Sequence, residues 1–397
     1  MASLYLVGTA DTKAEELAYI EQELVSAGHS VVLVDVGTRE PACRVTVPGI
    51  DVAAYHPEGA PAVRGTEDRG TAVAAMGKAF AAFLGSRDDI AGIIGIGGGG
   101  GTSIITAGMR TLPIGIPKLM VSTLASGDVA PYVDVSDIVM MNAVTDLAGL
   151  NGISRTLLKQ AAFALAGMVD AGTAPSADKP GIGLTMFGVT TPCVTQVVER
   201  LRTDFDCQVF HATGTGGRTM EKLVDSGLLT GVVDVTTTEV CDHLLGGVLS
   251  AGADRLGAIA RSGVPYVGSV GAVDMVNFGA FETVPARFAE RNLYRHNPQV
   301  TLMRTTAPEC AQIGRWIAEK LNRCNGPVRL LIPEKGVSAL DAPGQPYHDP
   351  HANAALFEAL EDTLSVTDNR RIQRLPFHIN DAEFAGALAD EFRALIA

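Results

Sequence analysis

Five consecutive glycines make up the segment of this 397-residue chain that is best suited to chemistry. They occupy positions 97–101, after the apolar run Ile90–Ile94 and before Thr102, Ser103 and a helix-like stretch. Ordering so many glycines costs backbone entropy, so we expect their backbone to approach a partner that side chains would exclude. Unpaired N–H groups at a helix start suit a phosphate, and the two hydroxyls could cap the helix or bind phosphate oxygens. The segment therefore predicts a phosphate-binding loop, with a flexible surface turn as the alternative.

The surroundings of this loop argue against two common nucleotide-binding motifs. Gly95-x-Gly97-x-x-Gly100 fits the dinucleotide fingerprint, but a run of glycines fits it almost automatically. The loop follows roughly the third strand of its half instead of the first, and no acidic strand end lies about 20 residues further on. No lysine follows the loop as it does in the P-loop motif. The pattern thus favours neither an NAD site nor a Walker-type NTPase.

Two further polar loops follow apolar strands in the first half. The strand at 4–8 leads to Thr9, Asp11, Thr12 and Lys13, and the strand at 118–121 leads to a second polar loop at 122–128. In an open parallel sheet ligands bind outside the carboxyl ends of the strands, so we expect all three loops to share one rim. Ordinary helix capping beside a solvated lysine is the alternative for the first of them.

The second half offers candidates for acid–base chemistry. A glycine turn at 213–217 follows a strand and echoes the first loop, and Glu239 and His243 are spaced four residues apart after another strand. On one helix face they could form a metal pair or an oriented base, or be only the start of a surface helix. Cys193 lies near a helix start, where a thiol is either activated or simply packed. The remaining polar candidates are His211, Asp242, Arg295, His296, Glu334, Lys335, His348 and His351.

Strands and helices alternate through both halves, which predicts the α/β class. We expect two Rossmann-like domains, each a doubly wound, mostly parallel sheet, with a cleft between them. The small, proline-broken segment 171–180 predicts a linker, which gives domains at 1–175 and 181–397. Residues 39–66 form a long excursion that could cover a site, and the alternation at 132–141 predicts a strand.

Composition excludes several classes of partner. The net charge of −13 argues against a nucleic-acid or anionic-membrane surface. The six cysteines contain no C-x-x-C pair, which favours reduced thiols over zinc or disulfides. The first residues lack the features of a signal peptide, and no uncharged apolar stretch reaches about 18 residues outside glycine-rich turns. The sequence therefore predicts a cytoplasmic protein.

Five segments, taken together and in order, resemble a known family. They are Val7–Lys13, 95–103, 122–128, 213–217 and Ile332–Ser338. The family is the largely uncharacterised bacterial and fungal one that includes the ATP-binding inhibitor domain of the tomato mosaic virus resistance protein. The resemblance covers essentially the whole chain. It implies two Rossmann-like domains, ATP with magnesium in the N-terminal one, and homodimers.

The resemblance and the loops together give a set of expected site residues. Magnesium is expected on Asp11 or Asp128, directly or through water. The residues expected to hold the nucleotide are Thr9, Asp11, Thr12, Lys13, Gly97, Gly98, Gly99, Gly100, Gly101, Thr102, Ser103, Ser122, Ser126 and Gly127. Three functions stay open: an ATP-using enzyme for a small acid or sugar-like substrate between the domains, a nucleotide-gated binding module without turnover, and an enzyme for a phosphorylated metabolite. For an enzyme, the catalytic candidates are His211, Glu239 and His243.

Overall fold

The computed structural model describes residues 2–66, 68–172 and 179–396. The chain divides into two compact units, Met1–Pro175 and Ser176–Ala397. Most of the predicted linker, residues 173–178, lies outside the described residues. Among the helices of the described ranges, none is both long enough and apolar enough to cross a membrane.

The N-terminal domain is a five-stranded parallel sheet in the order β2-β1-β3-β4-β5, with helices between successive strands. Its strands are β1 (Ser3–Gly8), β2 (Val31–Asp35), β3 (Ile90–Gly97), β4 (Lys118–Ser122) and β5 (Ile138–Asn142). Its helices are α1 (Ala14–Ser26), α2 (Gly49–Ala53), α3 (Pro61–Arg64), α4 (Arg69–Gly85), α5 (Gly99–Met109), α6 (Ala130–Val133) and α7 (Gly152–Asp170).

Both faces of this sheet are buried, which explains why its central strands read as continuous apolar runs. Successive side chains of β1 point to opposite faces. Tyr5 and Val7 pack in the core cluster that contains Phe80 of α4. Leu4 and Leu6 pack in the cluster on the other face, which contains residues of α1 and α7. The carboxyl ends of the strands are left as the edge where polar loops collect.

The C-terminal domain contains a six-stranded parallel sheet in the order β14-β13-β9-β8-β6-β7 and a three-stranded antiparallel sheet in the order β10-β12-β11. Its strands are β6 (Gly181–Met186), β7 (Asp206–His211), β8 (Gly231–Thr236), β9 (Tyr266–Gly271), β10 (Met275–Phe278), β11 (Leu293–Asn297), β12 (Val300–Arg304), β13 (Val328–Pro333) and β14 (Arg370–Leu375). Its helices are α8 (Thr191–Leu201), α9 (Thr215–Asp225), α10 (Glu239–Leu245), α11 (Gly257–Ser262), α12 (Ala307–Leu321), α13 (Pro350–Thr363) and α14 (Ala382–Ile396), with 3₁₀ turns at Gly188–Thr190, Phe281–Thr283 and Ala286–Phe288.

The predicted fold class is confirmed: two mostly parallel sheets interleaved with helices form two Rossmann-like domains. In each domain the first strand lies between the second and the third, so the strand order reverses between β1 and β3 and again between β6 and β8. Such reversal points open a crevice at the carboxyl ends of the strands, where ligands of this fold bind.

The structure corrects the predicted strand at 132–141. Residues Ala130–Val133 form a helical turn with Pro131 near its start, and only Ile138–Asn142 are a strand. Proline fixes a backbone angle that suits the first turn of a helix, and this preference prevails over the alternating pattern. The antiparallel sheet of the C-terminal domain was also not predicted.

Candidate functional site

A cavity of about 560 Å³ lies at the reversal point of the N-terminal sheet. Loops after β1, β2 and β3 form its walls, together with residues of α3, α4 and α5. The lining residues are Thr9, Asp11, Thr12, Lys13, Val36, Gly37, Thr38, Arg39, Val63, Arg64, Thr66, Arg69, Ala72, Val73, Gly98, Gly99, Gly100, Gly101 and Ile104. Two of the three loops expected at one rim, those after β1 and β3, therefore meet here.

The glycine run forms the first turn of a helix instead of a free loop. Gly97 ends β3, Gly98 is the N-cap, and α5 begins at Gly99. The N–H of Thr102 donates to the carbonyl of Gly98 at 2.8 Å. The N–H groups that precede it, at 99–101, belong to the helix start, which lacks partners within the helix. These amides and the positive end of the helix dipole lie at the cavity wall.

Packing within the protein does not explain why positions 98–101 are all glycine. A Cβ added at any of the four would come no closer than 3.6–3.8 Å to the nearest protein atom, which is ordinary van der Waals contact. None of them has a positive φ angle. At Gly97, by contrast, a Cβ would approach the backbone of Gly101 and Thr102 to 3.0 Å. Bare backbone at these four positions leaves the main chain open to close approach by another group.

The cavity wall carries several positive side chains although the protein as a whole is acidic. They are Lys13, Arg39, Arg64 and Arg69, and Asp11 is the one carboxylate among the described lining residues. Arg64 donates from Nη1 to the exposed Glu40 at 3.0 Å, while its Nε is buried without an acceptor in the described part of the chain. This charge distribution favours a ligand with several negative charges.

An acidic pair flanks the same cavity. A Cβ on Gly37 would lie 2.9 Å from Oδ1 of Asp35 and 3.0 Å from Oδ1 of Asp11, so the two carboxylates border one glycine. Asp35 is fully buried and accepts the N–H groups of Ala10 at 2.9 Å and Gly37 at 2.7 Å. The backbone N–H of Gly49 also stabilises the Asp35 carboxylate. Oδ1 of Asp11 is buried without a partner in the described residues. Burial raises the pKa of Asp35, and the nearby Asp11 raises it further.

The two carboxylates together could hold a divalent cation better than either of them could alone. Magnesium binds one or two carboxylates together with phosphate oxygens and water. The sequence analysis named Asp11 but missed Asp35, which ends β2. A charged residue at the end of an apolar strand, next to the strand that carries the first polar loop, was the available signal.

Of the other residues expected to bind the nucleotide, some line the cavity and others lie elsewhere. The hydroxyls of Thr9 and Thr12 lie 2.8 Å apart at the cavity wall. The buried hydroxyls of Thr102 and Ser122 are 2.7 Å apart and connect α5 with the end of β4. Ser103, Ser126 and Gly127 are exposed and are absent from the described cavity lining, and so is Asp128, which was expected to hold magnesium. The Asp128 carboxylate accepts the N–H of Ala130 at 3.0 Å.

In the C-terminal domain, the glycine turn at 213–217 is closed by a carboxylate of the protein itself. Oε1 of Glu239 accepts the N–H of Gly214 at 2.7 Å and that of Gly217 at 3.0 Å. Its Oε2 accepts from Nε of Arg255 at 2.9 Å. The positive start of α9 thus already holds an anion.

Arg255 is the centre of a buried charge cluster. It is 2% exposed and also donates to Glu221 at 3.0 Å and to Asp234 at 2.8 Å. Tyr266 adds a hydrogen bond to Asp234 at 3.1 Å. Burial raises the pKa of both Glu221 and Glu239, while the Arg255 guanidinium and backbone N–H groups oppose this shift. The cluster holds α9, α10 and the sheet together.

The three catalytic candidates of this domain contact different neighbours. Glu239 is enclosed in the Arg255 cluster, the His211 ring stacks on Phe187 with centroids 5.4 Å apart, and the His243 ring lies 5.8 Å from that of Trp316. Across the described ranges, no group of three or more His, Cys, Asp or Glu side chains is arranged to hold a metal ion.

Cys193 behaves as a packing residue. It lies in the first turn of α8, is fully buried, and belongs to the core cluster with Val194 and Val197. Burial raises the pKa of this thiol to about 12. A thiol that keeps its proton is a weak nucleophile, so the packing alternative for this residue is the better description.

Two doubly wound parallel sheets, one with an open cavity at the start of a glycine-rich helix, define a two-domain α/β protein of the Rossmann-like class. The chain belongs to the Uncharacterised protein family (UPF0261). The N-terminal domain of that family matches residues 2–174, and its C-terminal domain matches residues 179–396. The resemblance seen in the sequence is thereby confirmed.

Relatives of this chain occur in bacteria and in a plant. A UPF0261 protein of Rhizobium meliloti (strain 1021) is 66% identical over 99% of both chains. A UPF0261 protein of Clostridium tetani is 47% identical over 97% of both. The ToMV resistance protein Tm-1(GCR237) of Solanum lycopersicum is 44% identical, and the alignment spans 98% of this chain and 55% of the tomato protein.

Proposed function

We propose that the N-terminal domain binds a nucleoside triphosphate, ATP with magnesium, in the cavity at the carboxyl ends of β1, β2 and β3. One observation carries this proposal. Four successive glycines form the N-cap and first turn of a helix at the wall of a cation-lined cavity, and a Cβ added to any of them would come no closer than 3.6 Å to a described protein atom.

The phosphates would lie on the N–H groups of 99–101. A helix start offers both hydrogen-bond donors and a positive dipole to an anion. The side chains of Lys13, Arg39 and Arg69 line the same cavity and would neutralise further phosphate charge. The volume of about 560 Å³ lies within the range of about 300–1,000 Å³ that is usual for small-molecule sites.

Magnesium would lie on the acidic side of this cavity, next to Asp11 and Asp35. Oδ1 of Asp11 is buried without a partner among the described residues and lies beside the Asp35 carboxylate, which supports a cation at this position. We therefore place the ion at this pair in preference to Asp128, whose carboxylate bonds its own loop. The bound ion would supply charge neutralisation to the phosphates.

Turnover of the nucleotide is a separate question. Transfer of phosphate to a small acid or sugar-like substrate stays a prediction, as does gating of a partner without turnover. Incubation with γ-labelled ATP and a panel of small acids and sugars separates the two. A labelled product would favour the enzyme, and intact ATP with every compound would favour the binding module.

Equilibrium binding tests the proposal. We expect titration calorimetry to detect Mg-ATP binding to the wild type, and ATP to raise the melting temperature more than NAD or sugar phosphates do. Gly99→Val should abolish ATP binding, because the added methyl groups would occupy the phosphate position. Gly167→Val in α7, where an added Cβ meets nothing, is the matched control and should bind normally.

Two results would contradict the proposal. The first is a wild type that binds no ATP. The second is unchanged ATP affinity in a Gly99→Val variant whose circular dichroism matches the wild type, which would remove the glycine helix from the site.

A further inference from the structure

Arg64 differs from the other arginines that line the N-terminal cavity. Arg39 and Arg69 are exposed, whereas the Arg64 side chain is 21% exposed and its Nε is buried without an acceptor among the described residues. Of its guanidinium nitrogens, only Nη1 makes a hydrogen bond with a described residue, to Oε1 of Glu40 at 3.0 Å. The Arg64 guanidinium therefore has donors that the described residues leave unused.

The short helix α3 fixes the backbone that carries Arg64. Pro61 begins this helix, where its restricted backbone angle suits the first turn. A Cβ on Gly65, directly after the helix, would lie 2.6 Å from the carbonyl oxygen of Pro61, so a side chain there would force the backbone to move. Val63 is fully buried in the core cluster that contains Phe80. The Arg64 side chain can therefore change partners at the cavity wall without a movement of the helix.

The carboxylate that now pairs with Arg64 is a weak partner. The Glu40 side chain is 88% exposed. Exposed ion pairs contribute little to stability, because water screens the charges and two long side chains lose freedom. A phosphate group carries more negative charge, and the planar guanidinium can bind two of its oxygens through parallel N–H groups. A phosphate at this wall would therefore displace the Glu40 carboxylate.

The proposed nucleotide has more negative charge than the start of α5 alone can neutralise. A helix start is a site for one phosphate group, whereas a triphosphate has further charged oxygens. We propose that Arg64 binds the phosphate chain of the nucleotide and that Glu40 competes with the nucleotide for this side chain. This inference rests on the proposed binding of Mg-ATP and adds a competitor, built into the protein, to the same site.

Calorimetric titration of the full chain with Mg-ATP tests this exchange of partners. We expect Glu40→Gln to bind Mg-ATP about two- to fivefold more tightly than the wild type, because the competitor loses its charge. Arg64→Gln should bind Mg-ATP about tenfold or more weakly. In the double variant, Glu40→Gln should add nothing to the effect of Arg64→Gln, because the guanidinium for which Glu40 competes is gone.

The control variants change charges of the excursion 39–66 away from the cavity. Glu58→Gln and Arg44→Gln replace exposed residues that are absent from the described cavity lining, and both should bind Mg-ATP like the wild type. Circular dichroism verifies that each variant is folded. A loss of affinity in Arg44→Gln equal to that in Arg64→Gln would reduce the effect to net charge and would overturn the proposal.

Three further results would overturn the competition between Glu40 and the nucleotide while ATP binding itself stands. They are unchanged affinity in Glu40→Gln, unchanged affinity in Arg64→Gln, and the same gain from Glu40→Gln with and without the Arg64 guanidinium. A wild type that binds no Mg-ATP would instead overturn both this inference and the proposed function on which it rests.

Discussion

The two domains contain the same local feature, a glycine turn between a parallel strand and a helix, but use it differently. In the C-terminal domain the amides of Gly214 and Gly217 bond the carboxylate of Glu239 at 2.7 and 3.0 Å. In the N-terminal domain the corresponding amides at 99–101 lie at the wall of a cavity. One helix start is satisfied by a carboxylate of the protein, and the other faces an open cavity.

The space beside the glycines shows the same difference. A Cβ on Gly217 would lie 2.0 Å from Oε2 of Glu239, and one on Gly216 would lie 1.9 Å from the carbonyl oxygen of His211. The distances at 98–101 are 3.6–3.8 Å. Glycine is therefore required by the fold in the C-terminal turn and tolerated by it in the N-terminal one. A glycine-rich turn indicates a ligand only when the protein itself does not need the glycines.

The largest effect is expected at the counter-ion of the closed turn. Arg255→Met would leave three carboxylates buried without their cation, so we expect the C-terminal domain to lose about 3–5 kcal/mol of unfolding free energy. Urea unfolding followed by Trp316 fluorescence measures this loss. Arg261→Met removes a half-exposed ion-pairing arginine and should cost about 1 kcal/mol or less. Equal losses in the two variants would show that the cluster does not stabilise the turn.

Gly217→Ala tests the closed turn directly. The added methyl group would displace the Glu239 carboxylate, and we expect a loss of about 3 kcal/mol from overpacking and from broken charged hydrogen bonds. The readout is again urea unfolding at Trp316. Gly188→Ala, where an added Cβ meets no atom within 4 Å, is the control and should be nearly neutral. A neutral Gly217→Ala would refute the argument from the missing Cβ.

The C-terminal domain also buries Asp274, and the titration of this carboxyl group makes the stability of the domain depend on pH. Burial raises the pKa of Asp274 to about 7, against about 3.9 for an unfolded aspartate. The carboxyl proton of Asp274 is therefore held more tightly in the folded domain than in the unfolded chain. The contribution of Asp274 to the free energy of unfolding falls as the pH rises from about 4 to about 7. Between pH 5 and pH 8, Asp274→Asn should gain up to about 2 kcal/mol relative to the wild type.

The measurement for Asp274 is urea unfolding at both pH values. Asp254→Asn removes a carboxylate that is 71% exposed and serves as the control, with no expected change in the pH slope. A constant difference between Asp274→Asn and the wild type at the two pH values would contradict the shifted pKa of Asp274.

The smallest effect on stability is expected in the open turn. Gly100→Ala should stabilise the N-terminal domain by about 0.5–1 kcal/mol, because alanine suits a helix better than glycine and the nearest protein atom would be 3.6 Å away. Hydrogen exchange measured by mass spectrometry resolves this domain. The same variant should bind ATP more weakly in calorimetry. A Gly100→Ala variant that is less stable but binds ATP as tightly as the wild type would contradict this comparison, because the fold and not the ligand would then require the glycine.

The sequence predicts the architecture well because the pattern of apolar runs and helical spacings is local. The buried run of β1 and the strand–turn–helix order around 97–101 are both found in the structure. The rim on which Lys13 and Gly99 meet follows from parallel strands alone. The antiparallel pairing of β12 was not predicted, because the direction of that strand depends on β10 and β11, which no local pattern specifies.

The chemistry of the site was only partly predictable. Asp35 was missed because its relevance depends on the neighbouring strand, which brings it next to Asp11. The sequence indicated that Glu239 was available for acid–base chemistry. Its partner Arg255 lies 16 positions further along the chain and bonds the Glu239 carboxylate only in the folded domain. Contacts between distant residues therefore decided whether a charged side chain serves a ligand or the fold.

A crystal structure with Mg-ATP bound is the most direct test of the central claim that the amides of 99–101 hold phosphate. The account predicts phosphate oxygens about 3 Å from these nitrogens, with the metal ion beside Asp11 and Asp35. A nucleotide found at another place, or an empty cavity at saturating Mg-ATP, would contradict it.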